Sequence, residues 1–349
     1  MELSELIVTR DTSIITVMKI FNETGKQVAL IAPDGKLEAV VTDGDIRRFI
    51  VKGGTIETAV GAIANYNPRY VLERNRESAK KIMQKYSISA LPILSDNGVI
   101  TSIVFANDFE LIKKHDINIP VVIMAGGFGT RLYPYTKILP KPLIPIGEVP
   151  IIEHIINRFQ KFNCEDFYLI LNYKKNMIKS YFSEVDYSYK LNFVEESKPL
   201  GTGGGISLLK GKIDKPFFLS NCDILIDADY ESIYKQHIEQ KNIITIVCAF
   251  RHMTVPYGVI ELDSTGRIYK MSEKPQYSFL TNTGMYLLEP RVIHDMMEGE
   301  VISLPEIIDK YRNIGENIGV YPINEKCWLD MGQLEELEEM KKAMEESHG

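Results

Sequence analysis

Apolar residues recur at helical spacing twice in the first third of the chain. Ile14, Val17, Met18 and Phe21 fall at i, i+3, i+4 and i+7, and Ala79, Ile82, Met83 and Tyr86 repeat the pattern. Each set predicts an amphipathic helix. Behind each comes a pair of short apolar runs around a Gly turn: ALIAPDGKLEAVVTDGDI from Ala29 and ALPILSDNGVITSIVFANDF from Ala90. Both copies read as strand, turn, strand, and then an acidic residue opening a helix, Asp45 in one and Asp108 in the other. The repeat predicts two β–α units of roughly 60 residues, each too small to bury a core alone and completed by pairing.

From Val121 the pattern changes to longer apolar runs. VVIMA, FYLIL (from Phe167), PFFLSN (from Pro216), IITIVCA (from Ile243) and GMYLL (from Gly284) each read as a buried strand. Helical patterns lie between several of them, one with Ile152, Ile155, Ile156 and Phe159 on a single face. Strand alternating with helix predicts an α/β fold with a mostly parallel, doubly wound sheet. The polar stretch IKKHDINIP separates the two regimes, so the expected domains are 1–56, 57–118 and 120–349. The tail QLEELEEMKKAMEES predicts a charged helix.

Composition acts mainly by exclusion. The 349 residues are 45% hydrophobic and 25% charged, with a formal charge of −7. That balance is ordinary for a globular protein and lacks the basic surface that draws proteins to nucleic acid. No apolar run approaches a membrane span. Cys164, Cys222, Cys248 and Cys327 are scattered without a CxxC pair, which argues against a zinc site or a disulfide framework. Acids stand near the N-terminus where a secretory leader would be basic and then apolar, so a reducing cytoplasm is expected.

The chemistry starts where VVIMA runs into GGFGTRLYPYTKILPKPLIPIG. Gly126, Gly127 and Gly129 let backbone N–H groups approach a polyanion, and Arg131 and Lys141 add two cations. Gly-Lys-Ser/Thr is not contiguous and the last glycine of GxGxxG is missing, which excludes a Walker A loop and a dinucleotide fingerprint. The stretch resembles the GGxGTRLxPxTxxxPKPLxPI motif of sugar-1-phosphate nucleotidyltransferases, and the similarity runs from Pro120 to the C-terminus.

That resemblance implies a Rossmann-like fold joining a nucleoside triphosphate to a sugar 1-phosphate with release of pyrophosphate. It implies that Ala125, Gly126, Gly127, Gly129 and Thr130 lie along the ribose and phosphates. Arg131 would hold the leaving β- and γ-phosphates, and Lys141 the α-phosphate and the incoming sugar phosphate. In EESKPLGTGGG, Glu196, Gly201 and Thr202 match the base-reading segment. Asp223 in FFLSNCDIL and Asp330 in CWLDMGQL match the family's two Mg²⁺ carboxylates, although Cys222 stands where the family usually has Gly. On the sugar side the resemblance implicates Tyr257 and Gly258 in VPYGVIELD, Glu273 and Lys274 in SEKP, and Asn282 and Thr283 in TNTGMYLL.

VVTDGDIRR and its partner IVFANDFEL resemble the ends of tandem CBS domains, modules that bind nucleotides between their halves. Thr42 and Asp45 match the ribose-and-phosphate position, whereas Phe105 replaces the Thr in the second copy, so one regulatory nucleotide per chain is expected. CBS modules ahead of this transferase domain resemble guanylyltransferases acting on glucosamine 1-phosphate, which implies GTP and that sugar phosphate as substrates. Mannose-1-phosphate guanylyltransferase and thymidylyl-, uridylyl- or cytidylyltransferases remain open. So does a non-catalytic nucleotide sensor, against which the intact set Arg131, Lys141, Asp223 and Asp330 argues. CBS pairs self-associate, so a homo-oligomer is expected.

Overall fold

Residues 3–106 and 117–346 are described in a computed structural model, which divides into the units Met1–Lys114 and His115–Gly349. In the first unit Ser13 caps the helix Ile14–Thr24 by accepting a hydrogen bond from the Thr16 N–H, and Gly25, at φ 67°, ends it. The helix buries Ile14, Val17, Met18 and Phe21, the set its spacing predicts. Strands β1 (Ile7–Val8), β2 (Val28–Ile31) and β3 (Ala39–Thr42) form a sheet in that order, with β1 parallel and β3 antiparallel to β2.

β4 (Val71–Leu72), β5 (Ala90–Leu94) and β6 (Ile100–Phe105) repeat the same order and directions. The sequence repeat is thus a repeat of topology. Its second helix, Ala79–Tyr86, buries Ala79 and Met83. Tyr86, expected on that buried face, lies 41% exposed with the Arg69 guanidinium 3.5 Å from its ring centroid. The helix expected to open at Asp108 lies outside the described residues.

The second unit is built on seven strands in the order β11-β10-β7-β12-β17-β14-β18. These are β7 (Val121–Met124), β10 (Asp166–Leu171), β11 (Lys190–Glu195), β12 (Phe217–Asn221), β14 (Ile244–Thr254), β17 (Gln276–Leu288) and β18 (Ile318–Ile323). Short pairs flank them: β8 (Pro145–Ile146) with β9 (Val149–Pro150), β13 (Ile224–Ile226) with β19 (Trp328–Asp330), and β15 (Val259–Leu262) with β16 (Ile268–Ser272).

The sheet is mostly parallel, as the alternation of strand and helix predicts, but β17 runs antiparallel to both neighbours. Its connection explains this: the chain goes from β14 to β17 through the β15–β16 hairpin and not through a crossover helix, so it returns in the opposite direction. Apolar layers cover both faces. On one, the helix Ile151–Gln160 buries Ile151, Ile152, Ile155, Ile156 and Phe159, with the Phe159 ring 5.3 Å from Phe218. On the other, Val122, Ile170 and Leu219 pack with Leu304 and Ile307. Burial on both faces is why the strands read as continuous apolar runs.

Candidate active site

β7 and β12 are parallel neighbours with Met124 opposite Asn221. The Gly126–Thr130 loop and Asp223 therefore leave the sheet side by side at its C-terminal edge, where open α/β sheets hold ligands. They line a cavity of about 480 Å³ together with Arg131, Lys141, Glu196, Gly201 and Thr202. Gly129 sits at φ 64°, and a Cβ there would lie 2.9 Å from the Thr136 methyl. That tight turn is fixed by the Thr136 hydroxyl, which donates to the Gly129 carbonyl at 2.8 Å. Gly201, at φ 81°, approaches the Ile302 carbonyl so closely that a Cβ would lie 2.7 Å from it. Ala125 is buried beneath the loop.

Lys141, between Pro140 and Pro142 on a single 3₁₀ turn, is only 8% exposed, and its ammonium pairs with the Asp223 carboxylate. Arg131 remains exposed at the cavity wall. Asp330 is brought to Asp223 by the β13–β19 pair, in which Ile224 faces Asp330 and the Met331 N–H donates to the Asp223 carbonyl at 2.8 Å. Burial, then the charges of Asp223 and Glu336, push the Asp330 carboxyl up to about 6, with Lys141 acting the other way.

Two neighbouring carboxylates that share a single ammonium could take a divalent cation. Among the described residues no group of three or more His, Cys, Asp or Glu side chains forms a protein cage. Asp223 and Asp330 are the residues that could hold Mg²⁺, which takes one or two carboxylates and completes its shell with water and substrate phosphate. Cys222, beside Asp223, has its thiol pushed up to about 12 by burial, so it is a neutral wall group and no nucleophile.

Glu196 is 7% exposed, and its Oε1 has no hydrogen-bond partner. Burial pushes this carboxyl up to about 7, against a backbone hydrogen bond at Leu200 that favours its ionised form. Phe128, Asn221 and Glu336 were not legible from the sequence as site residues. Phe128 lines the cavity with its ring 5.0 Å from Tyr173. Asn221 lines it too, two residues before Asp223, and a Cβ on Gly284 would lie 2.5 Å from its amide nitrogen. The Glu336 carboxylate stands beside Asp330 across Gly332.

The sugar-side residues are not among those lining this cavity. Gly258 and Glu273 are neighbours, since a Cβ on Gly258 would lie 3.1 Å from Glu273 Oε2. Tyr257 is 73% exposed, and Lys274 adopts φ 45°. Asn282 donates to the Tyr286 hydroxyl at 2.6 Å, and the buried Thr283 hydroxyl donates to the Val247 carbonyl at 2.7 Å, at the irregularity between β14 and β17. Thr283 thus ties β17 to β14, whereas the Asn282 bond stays within β17.

In the first unit Thr42 and Asp45 form a reciprocal capping box on the helix Asp43–Val51, and Asp45 also pairs with Arg48. A cavity of about 650 Å³ lies at the opposite end of that sheet, beside Val8, Ile31 and Glu38, and neither Thr42 nor Asp45 lines it.

Residues 120–347 match the family described as Nucleotidyl transferase, and residues 3–52 match the CBS domain. The Bifunctional protein GlmU of Methanococcus aeolicus is 37% identical over 226 residues, covering 61% of this chain and 51% of that protein. The Mannose-1-phosphate guanyltransferase of Debaryomyces hansenii is 33% identical over 223 residues, covering 61% and 60%. The chain thus matches 51% to 60% of the length of these curated relatives. Among solved structures, HddC from Yersinia pseudotuberculosis shares the fold at 24% identity with a TM-score of 0.52, over 65% of this chain and 99% of that one. Among the described residues no helix is long and apolar enough to cross a membrane.

Proposed function

Since the chain belongs to the nucleotidyl transferase family and carries an N-terminal CBS domain, we propose that it transfers a guanylyl group from GTP to a sugar 1-phosphate. The acceptor proposed is glucosamine 1-phosphate, giving the GDP-glucosamine used in legionaminic acid synthesis. An oxygen of the sugar phosphate attacks the α-phosphorus in line, the bond from that phosphorus to the α–β bridging oxygen breaks, and pyrophosphate leaves with the electron pair. Arg131 steadies the leaving phosphates. Lys141 draws the α-phosphate and the sugar phosphate together. Asp223 and Asp330 would hold Mg²⁺, which would supply positive charge to the phosphate oxygens. In-line transfer needs no covalent nucleophile, in keeping with the inert Cys222 thiol.

The observation that carries the choice of base is Glu196, buried at the cavity with an unpartnered carboxylate oxygen. A carboxylate only accepts hydrogen bonds. Guanine offers it adjacent donors, N1–H and the 2-amino group, whereas uracil and thymine offer one N–H between two carbonyls. The mannose-1-phosphate guanyltransferase relatives favour the same base and leave mannose 1-phosphate as the second acceptor.

The CBS unit is proposed to bind one purine nucleotide at Thr42 and Asp45, which must then open their capping box. The deciding measurement is pyrophosphate release over every pairing of nucleoside triphosphate and sugar 1-phosphate. GTP should exceed UTP, CTP and dTTP in kcat/KM by at least ~10², since wrong bases leave buried polar groups unpaired. A preference for a pyrimidine nucleotide would overturn the guanylyl reading, and a preference for mannose 1-phosphate would overturn the acceptor.

A further inference from the structure

β14 pairs with β18 as far as Ala249, and β17 with β12 as far as Met285. The remaining residues of both strands pair with each other and lead into the β15–β16 sheet, so an arm on a single ladder extends beyond the core. Isolated two-stranded hairpins are marginal in water, and this one turns an apolar face outward. Ile260 lies opposite Met271, and Leu262 opposite Ile268. Direct cross-strand partners share a face. These four side chains are 52%, 65%, 61% and 64% exposed, and Tyr269, added beside them by the register shift, is 75% exposed. The reverse face carries Glu261 and Lys270, paired with each other at 3.2 Å.

We propose that this apolar face docks on the same face of a second copy of the chain, in a two-fold, sheet-on-sheet contact. The five side chains expose on the order of 500 Å², more than the few hundred at which a patch marks an interaction site. Two copies together bury ~1,000 Å², the lower bound of a specific interface. An uncharged aliphatic ladder is complementary to itself, which is what an isologous contact requires. A membrane surface is the poorer match, because the chain carries −7 and peripheral binding to anionic lipid relies on clustered Lys and Arg. The contact adjoins the residues proposed for the sugar side: Tyr257 and Gly258 lead directly into β15, and Glu273 and Lys274 directly follow β16. The proposal does not depend on the choice of base or sugar.

Sedimentation velocity of the full-length chain at micromolar concentration tests it, beside Leu262→Glu, Met271→Lys and, on the reverse face, Glu261→Gln. Both apolar-face variants should sediment with half the mass of the parent chain while keeping its circular dichroism, since both positions are exposed, and Glu261→Gln should keep the parent mass. Two charge variants guard against one that fails to fold. Equal masses for parent and folded apolar-face variants would overturn the proposal. So would binding of the parent chain to phosphatidylserine vesicles that both variants lose without any change in mass, which would assign the face to lipid.

Discussion

Removing the charge from Asp223 while keeping its shape, as Asp223→Asn, takes away one of the two carboxylates proposed to hold Mg²⁺ and the partner of Lys141. Turnover is expected to fall by ~10²–10³ at saturating Mg²⁺ with the fold intact, the usual cost of losing transition-state electrostatic contact. Lys141→Ala should lower kcat beyond any rise in KM if its ammonium serves the approach of two anions as proposed. Glu196 gives a pH signature. Its carboxyl is pushed up to about 7, and only the ionised form accepts both guanine N–H groups. KM for GTP should therefore rise as pH falls through about 7, approaching tenfold per pH unit, and Glu196→Gln should flatten the profile. That the glycine loop, Arg131 and Lys141 gather at one cavity was legible because glycines and cations at fixed spacing mark such a loop locally. Phe128, Asn221 and Glu336 were not, because their place in the site depends on which strand ends and helix start the fold brings together.

The helices Ile14–Thr24 and Ile151–Gln160 and the strands β7, β10, β12 and the buried parts of β14 and β17 followed from apolar patterning, whereas β11 and β18 were not marked by it. Nor was the arm. Outside the core, RHMT at the end of β14 and QYSFLTN at the start of β17 pack against too little to carry an apolar rhythm, so the sequence marks only the buried parts of both strands. At the edge of this sheet the helix Tyr230–Gln240 presents His237, fully buried, with Nδ1 2.8 Å from the Thr245 hydroxyl. Burial pushes its imidazole down to about 4. A folded state that binds this proton less readily than the unfolded chain keeps its stability above the unfolded pKa of about 6.5. Stability is then lost as pH falls toward 4, by about 1.4 kcal/mol per pH unit from this group. Urea unfolding at pH 7 and pH 4.5 should show a smaller difference in His237→Gln than in the parent chain.

At the scale of the whole molecule, a nucleotide at Thr42 and Asp45 is expected to alter catalysis in the other unit. Coupling between sites typically amounts to ~1–3 kcal/mol, or ~5–150-fold in affinity. Titrating the full-length chain with adenine and guanine nucleotides, and repeating it with Asp45→Ala, separates this site from the transfer site. Binding that survives the substitution unchanged would place the regulatory nucleotide elsewhere. The variant also loses half of a capping box, so its thermal midpoint must be measured alongside, with a cost of ~1 kcal/mol expected. The expected bounds 1–56, 57–118 and 120–349 rest on one change of rhythm near residue 120 and on the repeat in the first third. The capping box at Thr42 shows why a short polar motif underdetermines function: the hydroxyl and carboxylate proposed for a ribose here cap a helix.

If Lys141 and Asp223 hold the substrates as proposed, their pairing is expected to impose an order of arrival. Both side chains are largely out of water, 10% and 16% exposed, and each is the other's counter-ion. A sugar phosphate entering first would draw the ammonium away and strand a buried carboxylate, a change that costs several kcal/mol. A nucleotide that arrives with its divalent cation offers Asp223 a replacement and releases Lys141 toward the phosphates in one exchange. Calorimetry should accordingly find sugar 1-phosphate binding weak or undetectable on the free enzyme and measurable once Mg²⁺ and a non-hydrolysable GTP analogue are present, the behaviour of a compulsory sequence in which the nucleotide comes first.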